Sequence, residues 1–265
     1  MISPAISVLR FTAFVLWTLL ALGPYFVLLA VGSRHWLGYI RFYWRVVNRL
    51  LGFKVVVRGQ PVVPAPVLFV ANHASYLDIL ILGSVLPAVF VAKGEVAGWP
   101  GFGFLARVAR TVFIERRPGA TAVGRDLLRQ RLDDGTSLIL FAEGTSNDGN
   151  RVLPFKSSLF AVADREVGSG TEARPLPVQP VSVAYTRLDG LPMSRALRPL
   201  FAWYGDMTLG GHLPKALGLG RLTVEVEFHP VVTLADFGSR KGLASHCHDV
   251  VANGVTRALA GRCGS

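Results

Sequence analysis

Apolar residues in this chain fall into short unbroken runs separated by clusters of Gly, Pro and polar residues. The runs 54–58, 66–71, 88–92, 111–114, 137–141 and 178–185 are rich in Val, Ile, Leu and Phe and are too short for helices. They predict strands buried on both faces. Between them, 79–83, 99–110, 121–132 and 157–167 predict helices, the second Gly- and Pro-broken at its start. Residues 222–228 alternate Leu, Val, Val and Phe with Thr and Glu, which predicts a half-exposed strand, and 243–259 predict a closing helix. Strands alternating with helices imply an α/β fold, a central, mostly buried sheet flanked by helices over residues 53–265. The sequence shows no internal repeat and no low-complexity segment.

Residues 1–52 differ in kind. Phe11 to Val31 carry no charge, and Gly32-Ser33 extend the run. About twenty apolar residues suffice to cross a bilayer core as a helix. Gly23-Pro24 in the middle predict a kink or a re-entrant hairpin. A signal peptide and a buried helix are the alternatives, though Ala30-Val31-Gly32 make a poor cleavage site. Residues 34–52 predict a second helix, with Arg34, Arg41, Arg45 and Arg49 in one narrow stripe. Tyr39, Phe42, Tyr43, Val46, Val47 and Leu50 fill its other side. That division suits a helix in the headgroup layer; an ordinary amphipathic helix packed on the core is the alternative. Residues 1–52 are therefore expected to form a membrane-docking helical pair.

Charge supports this. The net charge is +11, with 28 basic and 17 acidic residues, and no Asp or Glu precedes Asp78. Basic residues beside the most apolar stretch favour an anionic membrane surface, on the cytoplasmic face of the inner membrane, over nucleic acid. Cys247 and Cys263 are too few for a disulfide framework and fit a reducing compartment.

Candidate chemistry sits at Asn72-His73-Ala74-Ser75-Tyr76-Leu77-Asp78, where the 66–71 strand turns into a helix. An imidazole can take a proton from a hydroxyl, and a carboxylate beside it can fix its tautomer. Five helical residues turn about 140° in all, so the two meet only if His73 precedes the helix and Asp78 lies in its first turns. The bland alternative is that Asn72 or Ser75 caps the helix and His73 is incidental. A second cluster, Phe141-Ala142-Glu143-Gly144-Thr145-Ser146, follows the 137–141 strand, with a glycine that permits close approach and two hydroxyl donors. His246-Cys247-His248-Asp249 is a weak metal pattern, because neighbours on a helix point apart. No Gly-x-Ser-x-Gly elbow or phosphate-binding Walker loop occurs.

Asn-His-x4-Asp resembles the first motif of the glycerolipid acyltransferase family, which includes the 1-acylglycerol-3-phosphate acyltransferases. Further motifs of that family follow in order. Lys93, Glu95, Pro100 and Gly101, then Phe113-Ile114-Glu115-Arg116, resemble the second, although Arg110-Thr111 stand where glycine is usual. Glu143-Gly144-Thr145 resembles the third, with Phe155-Lys156 after it. Two residues depart from it: Ala142 stands where proline is common, and Ser146 where an arginine is implicated in holding the acceptor phosphate. Leu176-Pro177-Val178-Gln179-Pro180-Val181 resembles the fourth, with Pro180 on a strand edge near the acyl site, or there as plain edge-strand geometry.

The resemblance implies transfer of a fatty acyl group from acyl-CoA or acyl carrier protein to the free hydroxyl of a lysolipid. His73 would be general base and Asp78 its orienting partner. Arg116, Glu143, Gly144, Thr145 and Lys156 would bind the acceptor, and Pro180 would border the acyl site. It implies no metal or other cofactor. The first expected acceptor is 1-acylglycerol-3-phosphate. Loss of a bidentate phosphate contact at Ser146 keeps another lysolipid, such as lyso-ornithine lipid, open. A non-catalytic membrane-bound lipid-binding protein is the alternative of a different class.

Overall fold

A computed structural model describes residues 2–33, 35–99, 101–114, 120–168 and 173–261. Two helices lead, α1 (Pro4–Ala30) and α2 (Trp36–Leu50), followed by β1 (Phe53–Arg58), β2 (Leu68–Ala71), α3 (Leu77–Val85) and β3 (Ala88–Lys93). Then come α4 (Phe102–Val108), β4 (Val112–Ile114), α5 (Ala120–Asp133), β5 (Ser137–Phe141) and a small ribbon, β6 (Glu166–Val167) with β7 (Arg174–Pro175). The chain finishes with β8 (Val178–Leu188), β9 (Leu191–Pro192), α6 (Leu209–Gly218), β10 (Leu222–Phe228) and α7 (Arg240–Leu259).

The main sheet runs in the order β1-β10-β8-β2-β5-β3-β4, with β9 paired to β8. Strands β8, β2, β5, β3 and β4 are parallel, whereas β10 is antiparallel to β8 and carries β1 with it. The sheet is therefore mixed, with its most apolar strands at the centre. Alternate side chains feed two cores. On one face Phe69, Ala71, Ile139, Val181 and Val183 meet Leu77 and Ile81 of α3 and Leu217 of α6. On the other, Leu68, Val70, Leu138, Leu140 and Val178 meet Leu128 and Leu132 of α5 and Leu243, Cys247 and Val251 of α7.

Several elements depart from their sequence reading. Strand β10 is not half-exposed: it lies between β1 and β8, and its Glu225 is buried and ion-paired to Arg58 at 3.0 Å. A charged residue in an alternating run thus faces a partner rather than water. Residues 157–163 form a 3-10 turn rather than a regular helix, with Phe160, Val162 and Ala163 buried, and Glu166–Val167 already pair as strand. Helix α6 was not expected, since it contains Gly210, Gly211 and Pro214; Thr208 caps it and Ala216 and Leu217 bury it.

The N-terminal pair forms, with different packing. Helix α1 runs unbroken through Gly23-Pro24, so the segment is no re-entrant hairpin. It is long and apolar enough to cross a membrane. Its buried positions are Ser7, Thr18, Ala21 and Tyr25, while Leu9, Leu16, Leu19, Leu20, Phe26 and Val27 are exposed. Large residues outward and small or polar ones inward reverse the usual surface helix. Arg10 fixes the helix to the domain by donating to the carbonyls of Leu217 (2.9 Å) and Leu219 (2.6 Å) at the end of α6. A cation there also meets the negative end of a helix. Helix α2 packs against the core as well as α1. Its Tyr43 stacks with Trp17, its Asn48 donates to the carbonyl of Leu80 at 3.0 Å, and Arg45 donates to that of Ser84 at 3.0 Å. Its aromatic side therefore covers other helices.

Candidate active site

Register builds the site. Ala71 of β2 lies level with Phe141 of β5, so the next residues out, His73 and Glu143, leave adjacent parallel strands side by side. This is the carboxyl end of the strands, where open α/β sheets place their ligands. Strand β8 is much longer than β2 and runs on past its end. Ala71 pairs with Val181, and beyond it Asn72 exchanges side-chain hydrogen bonds with the backbone of Val183, 2.9 Å to the carbonyl and 2.8 Å from the N–H. Asn72 thus anchors the turn to β8 and does not cap α3.

His73 lies in that turn and Asp78 in the first turn of α3. Their side chains meet, His73 Nδ1 to Asp78 Oδ2 at 2.8 Å. The Asp78 side chain is fully buried and that of His73 is 19% exposed. Asp78 Oδ2 also accepts from the N–H groups of Ala74 (2.8 Å) and Ser75 (3.0 Å), and Oδ1 from the Tyr185 phenol at 2.6 Å. Each of these partners is a donor aimed at the carboxylate, as is the positive end of α3. With Asp78 Oδ2 accepting the hydrogen bond of Nδ1–H, Nε2 of the neutral imidazole keeps its lone pair free. The ring is stacked on Phe141, centroids 4.0 Å apart and planes 18° apart, so it has little freedom to turn.

Glu143 is 1% exposed, and both its oxygens are engaged by the protein. Oε1 accepts from the His73 N–H at 2.7 Å. Oε2 accepts from Asn147 Nδ2 at 2.6 Å and from the Leu153 N–H at 2.9 Å. Burial raises its pKa to about 7, against the opposing pull of these hydrogen bonds. Glu143 therefore ties the 143–153 loop to the backbone of His73. Burial, and then the charge of Asp78, keep the Tyr185 phenol well above its ordinary range, so it stays a proton donor.

The other expected residues are distributed as follows. Gly144 turns the chain at φ +69°, a conformation that favours glycine. Thr145 and Lys156 are exposed on the loop that follows, with the Lys156 N–H bonded to the carbonyl of Ala142 at 2.9 Å. Pro180 is buried in β8, between β2 and the chain after β10, and not on an edge. Its carbonyl accepts from the His229 N–H at 3.0 Å, and the missing proline N–H points the same way, beyond the end of β10. By alternation it shares the sheet face of Val178 and Ala184, away from Phe141 and His73, so the structure does not bring it to the pair. Arg116 lies outside the described residues, as do Glu115 and Pro100. Sequence reasoning missed Tyr185, Asn147, the Leu153 N–H and Phe141 as partners. Asn147 carried a local signal, a carboxamide four residues after a carboxylate; Tyr185 carried none.

The arrangement is a hydrogen-bonded imidazole, partly exposed, on a buried carboxylate, with a Gly-Thr-Ser loop beside it. It can deprotonate a hydroxyl aligned with Nε2. The model of the family described as Acyltransferase matches residues 54–184, which hold these groups. The chain is 44% identical over 225 residues to a lyso-ornithine lipid O-acyltransferase of Brucella abortus (strain 2308), covering 83% of each chain. It is 33% identical over 190 residues to a 1-acyl-sn-glycerol-3-phosphate acyltransferase of Neisseria gonorrhoeae, covering 71% of this chain and 69% of that protein. Its fold matches the crystal structure of the 1-acyl-sn-glycerophosphate (LPA) acyltransferase PlsC from Thermotoga maritima with a TM-score of 0.66. That likeness covers 98% of this chain and 97% of the other at 22% identity. By these likenesses, spread over most of its length, the chain belongs to the acyltransferase family.

Proposed function

We propose that the enzyme moves a fatty acyl group from a thioester, on CoA or acyl carrier protein, to the free hydroxyl of a lyso-ornithine lipid. The observation that carries the chemistry is His73 Nδ1 held by Asp78 at 2.8 Å, with Nε2 left as base. The acceptor hydroxyl gives its proton to Nε2 as its oxygen attacks the thioester carbonyl. The tetrahedral oxyanion then collapses, the C–S bond breaks and the thiolate leaves. It is protonated from the imidazolium, and the imidazole is restored. Asp78 steadies the imidazolium meanwhile. No residue carries the acyl group covalently.

The choice of acceptor rests on two observations. Ser146 stands where a phosphate-binding arginine is expected, and the 44% identical relative is named for lyso-ornithine lipid. They move that acceptor ahead of 1-acylglycerol-3-phosphate, which the sequence alone ranks first and the Neisseria relative keeps as the second reading. Gly144, Thr145 and Lys156 remain acceptor-side residues in this account, as does Arg116. Glu143 becomes a positioning residue, because its oxygens are already engaged. The exposed apolar side of α1 docks the enzyme to the cytoplasmic face of the inner membrane, where a lysolipid resides. Thiol release from acyl-CoA or acyl carrier protein, measured with each lysolipid in detergent, tests the choice. The expected result is a kcat/KM for lyso-ornithine lipid at least about tenfold above that for lysophosphatidic acid, since losing a charge-paired contact costs about that much. The opposite ranking would return the phosphate acceptor to first place.

A further inference from the structure

The catalytic carboxylate has two oxygens with different neighbours. Asp78 Oδ2 faces His73 and two backbone N–H groups, all within the turn from residue 73 to residue 78. Oδ1 takes the phenol of Tyr185, which comes from β8, 107 positions away in sequence, at 2.6 Å. Tyr185 is 2% exposed, and its hydroxyl also interacts with the Ser75 side chain. We propose that Tyr185 is a positioning residue for acyl transfer, whose hydrogen bond to Asp78 Oδ1 sets how firmly Asp78 holds the imidazolium of His73. This rests on the reading of His73 as base.

A carboxylate with one oxygen unpaired can rotate about Cβ–Cγ and weaken its alignment with Nδ1; the phenol fixes its plane. Each neutral donor on a carboxylate also draws charge from it and makes it a poorer acceptor for the imidazolium proton. The phenol thus keeps the Nδ1 proton on His73. Removing the phenol strengthens Asp78 as acceptor and makes His73 protonate at higher pH. The surrounding titratable groups are few. Tyr76 of the same turn bonds His212 of α6 at 2.9 Å, and Glu143 after β5 meets the His73 backbone. Neither is hydrogen-bonded to Oδ1.

The test compares wild type, Tyr185→Phe and a protein carrying 3-fluorotyrosine at 185, using lyso-ornithine lipid and an acyl thioester across pH. Fluorination makes the phenol a stronger donor without changing its shape, so it covers the case in which Tyr185→Phe fails to fold. For Tyr185→Phe we expect kcat to fall roughly ten- to a hundredfold, the weight of one hydrogen bond to a charged group. Both KM values should stay within about twofold, and the acid limb of the kcat/KM profile should move up by roughly half a pH unit. The fluorinated protein should move that limb the other way. Lower kcat with the acid limb unmoved in both variants would make Tyr185 a packing residue and overturn the inference. No transfer by the wild type would instead overturn the reading of the site on which it stands.

Discussion

Glu143 shows how much a single residue's position constrains the site. Its carboxyl is buried, its pKa is about 7 against an ordinary 4.5, and it joins the 143–153 loop to the His73 backbone. A carboxyl whose folded pKa is raised stabilises the fold fully below its unfolded pKa, and loses that contribution as pH rises through the folded value. The window is therefore pH 4.5 to 7. The shift corresponds to about 3 kcal/mol across it. Glu143→Gln does not titrate, so the stability gap between wild type and variant should narrow as pH rises from 5 to 7.5, measured as the difference in Tm. A gap constant with pH would mean that Glu143 titrates as an ordinary carboxyl. At this scale the sequence displayed what is local. His73 and Asp78 were legible because their spacing across a strand-to-helix turn lies within one stretch. The Tyr185 contact was not, because it depends on β8 overrunning β2, a matter of register between distant strands.

At the scale of elements, the close approach of α2 to α3 depends on Gly83. A Cβ at that position would lie 2.5 Å from Trp44 Cδ1 and 2.8 Å from its Nε1, with the indole wedged against Tyr43. Gly83→Ala should therefore push α2 off α3 and cost about 1–3 kcal/mol, a drop of several degrees in Tm. An unchanged Tm would show that the indole moves aside freely. The central strands were legible as apolar runs because both their faces are buried. Three features misled elsewhere. Alternation in β10 reflected an ion pair rather than solvent, α6 contains residues that oppose helix, and the 157–167 stretch is too constrained by its buried Phe160 and its strand pairing to continue as a helix.

For the whole molecule, the outward apolar side of α1 and the arginines of α2 would make different contributions to the proposed membrane binding. Burying a leucine side chain is worth roughly 1.5–3 kcal/mol, whereas a basic residue near an anionic surface gives about 1 kcal/mol and is screened by salt. With Leu9, Leu16, Leu19, Leu20, Phe26 and Val27 all exposed, the apolar term dominates. The protein should sediment with phospholipid vesicles and stay bound in about 1 M salt, where the Debye length has fallen to about 3 Å. A pair of aspartates at Leu19 and Leu20 should release it. Release of the wild type by salt alone would assign docking to the arginines instead. The sequence displayed this helix as an apolar run without acids. It did not reveal that Arg10 pins it to the end of α6, because that contact joins residues 207 positions apart.

The central claim is that His73, held by Asp78, removes the acceptor's proton. Transfer of a labelled acyl group from its thioester to lyso-ornithine lipid, compared between wild type, His73→Ala and Asp78→Asn, tests it most directly. The account predicts that His73→Ala lowers kcat by about 10²–10⁴, the usual weight of a positioned base, while a folded protein still binds vesicles. Asp78→Asn should fall nearly as far, since a neutral amide cannot balance the charge of the imidazolium that it contacts through Nδ1. Transfer by folded His73→Ala at the wild-type rate would contradict it.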